Sequence, residues 1–122
     1  MPLSYHFDSA RRRLFTRASG PVTFAEIREH LQAERVDRYL GSDEVIDGRE
    51  ATVAFSQQEV RQVVDLLREL GAREALGPTA VVVSSDVAYG VMRMVEALIS
   101  DVCAVKPFRD MAEAERWLAQ AS

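Results

Sequence analysis

The sequence predicts an α/β domain with a mixed, mostly parallel sheet of about five strands, an N-terminal β-hairpin followed by β-α repeats, and four main helices. Three observations carry this. Leu3, Tyr5 and Phe7 alternate with Ser4 and His6, the period-two pattern of a half-buried strand. Thr79–Val83 and residues 102–105 are apolar on both faces, as central parallel strands are. Capping boxes at Thr23/Glu26, Ser56/Glu59 and Asp110/Glu113 each open a stretch with apolar residues at helical spacing.

Asp8-Ser9-Ala10 and the arginines after it supply a turn. Residues 14–18 then form a second strand, antiparallel to the first, which Gly20-Pro21 ends. Phe24, Ile27 and Leu31 place a helix over residues 23–33, and the polar stretch 34–42 reads as a loop. Residues 44–47, centred on Val45 and Ile46, form a short buried strand, with residues 48–55 its exit loop or a brief extended segment. Behind Ser56 lie Val60, Val63, Val64, Leu67 and Leu70, the clearest amphipathic stripe in the chain, and Gly71 stands where a C-terminal cap is expected. Gly77-Pro78 breaks the chain before the strand at Thr79. Ser84-Ser85-Asp86 is helix-start chemistry, and Val87, Val91, Met94, Val95 and Leu98 carry a helical stripe to about Ser100. After the strand at 102–105, closed by Lys106-Pro107-Phe108, a last helix holds Met111, Ala114, Trp117 and Leu118. Strict alternation after the hairpin requires crossover connections between parallel strands.

At 122 residues, with 48% hydrophobic and 28% charged content, residues 1–122 make one domain and exclude a disordered chain or a disulfide scaffold. The net charge of −4 and the single basic cluster, Arg11-Arg12-Arg13, argue against nucleic-acid binding. One cysteine, Cys103, precludes an intrachain disulfide and fits a reducing cytoplasm, where it acts as a small buried hydrophobe. No apolar run is long enough for a signal peptide or a membrane span. Phosphate-loop, dinucleotide and nucleophile-elbow motifs are absent, so no cofactor and no catalytic residue are expected. Two histidines and one cysteine show no metal-ligand spacing, and His6 and His30 both read as surface side chains.

Ligands in parallel α/β sheets bind beyond the carboxyl ends of the strands. Two segments fall there: Asp47-Gly48-Arg49, running on to Ser56, and Ser84-Ser85-Asp86, with Tyr89 and Arg93 behind it. Asp47, Arg49, Ser56, Ser84, Ser85, Tyr89 and Arg93 thus form a candidate rim for a small anion or a partner. The same residues also read as structural: Ser56 and Ser85 as helix caps, and Asp47 and Arg49 as pairing with each other or with loop backbone. Met94 falls on the inward stripe of its helix. Met92 lies off that stripe and suits an apolar pocket or a dimer interface, and Met92, Ile99 and the hairpin edge leave a homodimer open.

In order, Gly20-x-x-Thr23-x-x-Glu26, Asp47-x-Arg49, Val81-Val82-Val83, Tyr89-Gly90-x-x-Arg93-Met94, Val105-x-x-Phe108-x-Asp110 and Glu113-Ala114-x-x-Trp117-Leu118 span nearly the whole chain. Together they resemble the small bacterial SpoIIAA-like proteins of the STAS class, related in fold to anti-sigma-factor antagonists. The resemblance implies a non-enzymatic binding or regulatory domain acting on a protein partner. The alternative it implies is a carrier of a small lipid-like or anionic ligand, and a small enzyme of unknown reaction stands third. Ser56 is the nearest counterpart of the phosphorylatable serine of the antagonists, but Gln57-Gln58 replace the Asp-Ser-Ser/Thr-Gly context.

Overall fold

In the computed structural model, which describes residues 3–121, the hairpin of β1 (Leu3–Asp8) and β2 (Arg13–Val22) leads into three crossovers. These run through α1 (Phe24–Val36) to β3 (Asp43–Val53), α2 (Gln57–Arg73) to β4 (Thr79–Val83), and α3 (Asp86–Ile99) to β5 (Val105–Phe108); α4 (Met111–Ala121) closes the chain. The sheet order is β1-β2-β3-β4-β5, with β1 antiparallel to β2 and every later pairing parallel. Right-handed crossovers between sequential neighbours put α1, α2 and α3 on one face and leave the other to α4. The core divides accordingly. Val81, Val83 and Val105 pack with Val60, Val64, Val95 and Ile99 on the first face. Val45, Ala80, Val82 and Phe108 meet Ala114 and Leu118 on the second.

The expected hairpin, crossovers and helix starts are present. Thr23 and Ser56 form complete capping boxes, and Ser85 caps α3 by accepting from the Ala88 N–H. Asp110 accepts from the Glu113 N–H at the start of α4.

Several boundaries are corrected. β2 does not end at Gly20-Pro21; it continues to Val22 after a bulge between Arg17 and Ser19, and pairs Gly20 with Ala51 and Pro21 with Thr52. That pairing draws residues 48–53 into β3, which therefore runs eleven residues rather than four. Pro21 is tolerated because this part of β2 lies beyond the pairing with β1, so the N–H that proline lacks has no ladder partner to lose. Residues 34–36 are helical, and β5 begins at Val105 rather than Val102, leaving half-buried Cys103 in the turn before it, where burial pushes its thiol pKa up.

Gly71 is not a cap but lies within α2, where a Cβ would come within 2.4 Å of Val102 Cγ1. Gly77 meets the tightest constraint. Its N–H donates to the Leu40 carbonyl, and a Cβ would sit 2.3 Å from the Ser42 carbonyl oxygen. Backbone cannot give way as a flexible side chain can. Gly77→Ala is therefore expected to cost about 2 kcal/mol by forcing the two loops apart, measurable as a lowered urea midpoint at unchanged m-value.

The α3 stripe is rotated from the expected one. Ala88, Val95 and Ile99 are buried, whereas Val87, Met94 and Leu98 are 71%, 40% and 43% exposed. Hence Met94 does not point into the core, and Ile99, fully buried, is not available to a dimer interface. Met92 turns onto a cavity in the domain. No helix among the described residues is long and apolar enough to cross a membrane.

Candidate functional site

The expected rim comes together in part, at the carboxyl end of β4 only: because β3 runs on to Val53, Asp47 and Arg49 lie within β3 rather than beyond its end. Asp47 and Arg49 form a two-point pair, Nε to Oδ1 at 2.9 Å and Nη2 to Oδ2 at 2.8 Å, because alternate residues of a strand project to one face. The Arg49 guanidinium holds the Asp47 carboxyl below the usual carboxylate range. The Ser84 hydroxyl donates to the Arg49 carbonyl at 2.7 Å, tying β4 to the same corner. Ser56 and Ser85 occupy N-caps, so their hydroxyls accept from helix N–H groups. Tyr89 lies under the Arg109 guanidinium at 4.6 Å, and Arg109 also pairs with Asp86. Arg93, one turn on, pairs with Glu96 at 3.3 Å. The Arg49 side chain is half exposed, and exposed pairs contribute little. Arg49→Ala is expected to change stability by less than about 1 kcal/mol, which thermal unfolding checks, so any binding defect in that variant reports on binding.

A second site lies away from this rim. A cavity of about 180 Å³ lies between the sheet and helices α1, α2 and α3. Its wall is almost wholly apolar: Ala18, Val22, Ile46, Val81 and Val83 from the strands, and Ile27, Leu31, Val63, Met92 and Val95 from the helices. At one end the wall turns polar, at His30 and Glu44.

His30 is buried, not at the surface as expected. Glu34 follows one turn later on α1 and Glu44 faces them from β3; both are buried. His30 Nε2 lies 3.0 Å from Glu44 Oε2 in hydrogen-bond geometry, and the Thr16 hydroxyl donates to that same oxygen at 2.6 Å. Glu34 Oε2 lies 2.5 Å from the same ring nitrogen but off the line of its N–H, and it has no hydrogen-bond partner. Burial works against a charged imidazole, but the two carboxylates outweigh it and hold the His30 pKa at about 9. Burial pushes Glu34 up to about 8, against the opposing pull of His30.

Aromatic side chains close the cluster on the outside. Tyr5 stands edge-on to the His30 ring at 5.4 Å, and Phe7 stacks on Tyr39 at 4.8 Å. The Tyr5 hydroxyl donates to Asp37, which raises its pKa to about 12. A signal for the cluster does exist in the sequence. His30 and Glu34 continue the Ile27, Leu31 stripe at i+3 and i+7, the inward side of α1.

No protein-family model matches the sequence, and no curated protein does. Among solved structures, the chain is similar to an uncharacterized protein of the DUF3478 family with a SpoIIAA-like fold from Shewanella loihica PV-4. The TM-score is 0.62 at 16% identity, covering 95% of this chain and 91% of that one. It is also similar to the anti-sigma factor antagonist SpoIIAA in its unphosphorylated form, at TM-score 0.59 and 13% identity, over 98% of this chain and 99% of that one. The chain has a SpoIIAA-like fold. The SpoIIAA-like likeness runs end to end, so hairpin, crossovers and closing helix all fall within it. At these identities it bears on architecture alone.

Proposed function

We propose that residues 1–122 form a single non-enzymatic binding domain that holds a small, largely apolar molecule in the cavity between the sheet and α1–α3. The cavity itself carries this reading. Apolar cavities near 150 Å³ take up benzene-sized guests, so this half-open cavity of about 180 Å³ suits a ligand somewhat larger than one aromatic ring. The polar end favours a guest with a single hydroxyl or amine. Two carboxylates against one imidazole disfavour an anion there. Native mass spectrometry of protein from its own host is expected to show a bound small molecule. Benzene added to the emptied protein is expected to shift the methyl resonances of Ile46, Val81 and Val95. Ala51→Leu, which extends a wall residue into the space, is expected to abolish both effects while the fold persists. A clean apo mass with unmoved methyl resonances would end the reading.

A protein-partner reading is supported by a separate observation. Val87, Met94 and Leu98 lie exposed along α3, the helix that also carries Tyr89 and Arg93 and that starts, capped by Ser85, just after Ser84, which is tied to the corner of Asp47 and Arg49; Ser56 caps α2. Under this reading Arg49→Ala and Arg93→Ala weaken capture of the partner without changing stability, and unchanged capture by both would remove the rim from consideration.

A further inference from the structure

We propose that His30, Glu34 and Glu44 bind one divalent transition-metal ion of the zinc type. The three side chains bring one imidazole nitrogen and two carboxylate oxygens within 4.8 Å of one another. All three are more than nine-tenths buried. One helix face and one strand fix them: the i, i+4 spacing aligns His30 with Glu34, and β3 holds Glu44 opposite.

The second observation is the hydrogen-bond count at the convergence point. One ring nitrogen carries one proton, and that proton is directed at Glu44. Glu34 Oε2 is aimed at the same point, 3% exposed, and makes no hydrogen bond. A buried carboxyl oxygen in that position costs free energy unless a proton or a cation lies between the groups. A metal ion satisfies all three atoms at once. Tetrahedral ligands with bonds near 2.1 Å stand about 3.4 Å apart, so the separations of 2.5 and 3.0 Å need open by less than about 1 Å. A dication with a neutral imidazole and two carboxylates is electrically neutral, the state burial tolerates. Thr16 already holds Glu44 as an outer hydrogen-bond partner, the kind that orients metal ligands. A mixed nitrogen and oxygen set favours zinc-type ions over magnesium or calcium, which take oxygen. His30 and Glu44 border the cavity, which provides an entry path.

The inference goes beyond the proposed function and is independent of it, since zinc uptake needs no apolar guest. The test uses the full chain, stripped with a chelator and titrated with zinc chloride by calorimetry. One ion per chain is expected, together with a rise in Tm. Glu34→Gln, close in shape, is expected to weaken zinc binding by more than about 100-fold, beyond the loss of an outer partner; His6→Ala, at the exposed histidine, is expected to leave it unchanged. Imidazole 15N resonances of the wild-type chain make the result independent of how any variant folds: zinc is expected to move the His30 ring signals and spare those of His6. Absence of stoichiometric uptake, or uptake that leaves the His30 resonances in place, overturns the site.

Discussion

His30→Ala is expected to destabilise the chelator-treated chain by about 3 kcal/mol at neutral pH, the largest effect of any single change outside the apolar core. The substitution removes the cation that faces the buried Glu44 carboxylate and the buried Glu34 carboxyl group. Burial forbids Glu34 and Glu44 from regaining water, so the lost attraction is not replaced by hydration. Thr16 still donates to Glu44, but one hydroxyl cannot neutralise a carboxylate. Replacing the cluster as a whole acts differently. A variant with Leu at positions 30, 34 and 44 and Thr16→Val removes every buried polar group together, and is expected to fold with stability near that of the parent. Urea denaturation of the single and combined variants checks both statements. A single-variant loss below about 1 kcal/mol would show that the cluster is hydrated rather than enclosed.

Stability of the chelator-treated chain is expected to fall as pH rises from about 6.5 to 9. The folded-state pKa of His30, about 9, lies above its ordinary 6.5, so its contribution is complete below 6.5 and is lost as pH climbs through 9. Glu34, raised from 4.5 to about 8, keeps a proton that the unfolded chain releases, so its contribution also declines, from 4.5 up through 8. The two act in the same sense and overlap between 6.5 and 8, where the slope is steepest. Over the whole window the loss is on the order of 3 kcal/mol, which for a domain of this size lowers Tm by roughly 10 °C. At the acid end the sign reverses. Asp47, held low by Arg49, and Asp101, held low by Arg68, contribute stability that is lost as pH falls. The maximum therefore lies in the weakly acidic range. Glu34→Gln is expected to flatten the alkaline decline, and a profile identical to the parent would place the responsible protons elsewhere.

Local signals made most of the architecture legible. A capping box acts within four residues, and an apolar stripe at helical spacing identifies a buried face without reference to what covers it. That is why Thr23, Ser56 and Ser85 marked helix starts correctly, and why Thr79–Val83 was readable as a central strand. The errors arose where a partner far along the chain decided the outcome. Gly20-Pro21 reads as a terminator until Ala51 and Thr52 lie alongside it. Gly71 reads as a cap until Val102 occupies the space its side chain would need. The apolar residues of α3 exceed what one face can bury, and contact with β5 decided that Val95 and Ile99 go inward while Met94 stays exposed.

The same division runs through the candidate site. Ser84 and Tyr89 could be placed from sequence because the end of β4 and the start of α3 locate them, whereas Asp47 and Arg49 lie within β3 and not beyond its end. The sequence by itself determined the class of fold, the helix starts and the local Asp47–Arg49 pair, since each depends on residues close together along the chain. Only the tertiary structure decided that His30, Glu34 and Glu44 meet. Nine residues, the end of α1, a loop and the first residue of β3, separate Glu34 from Glu44, and a histidine or glutamate on a helix is ordinarily solvated. Their charges become consequential only when α1 is pressed onto β3 and water is excluded. That exclusion is a property of packing, and it turns three ordinary polar side chains into the least expected feature of the molecule.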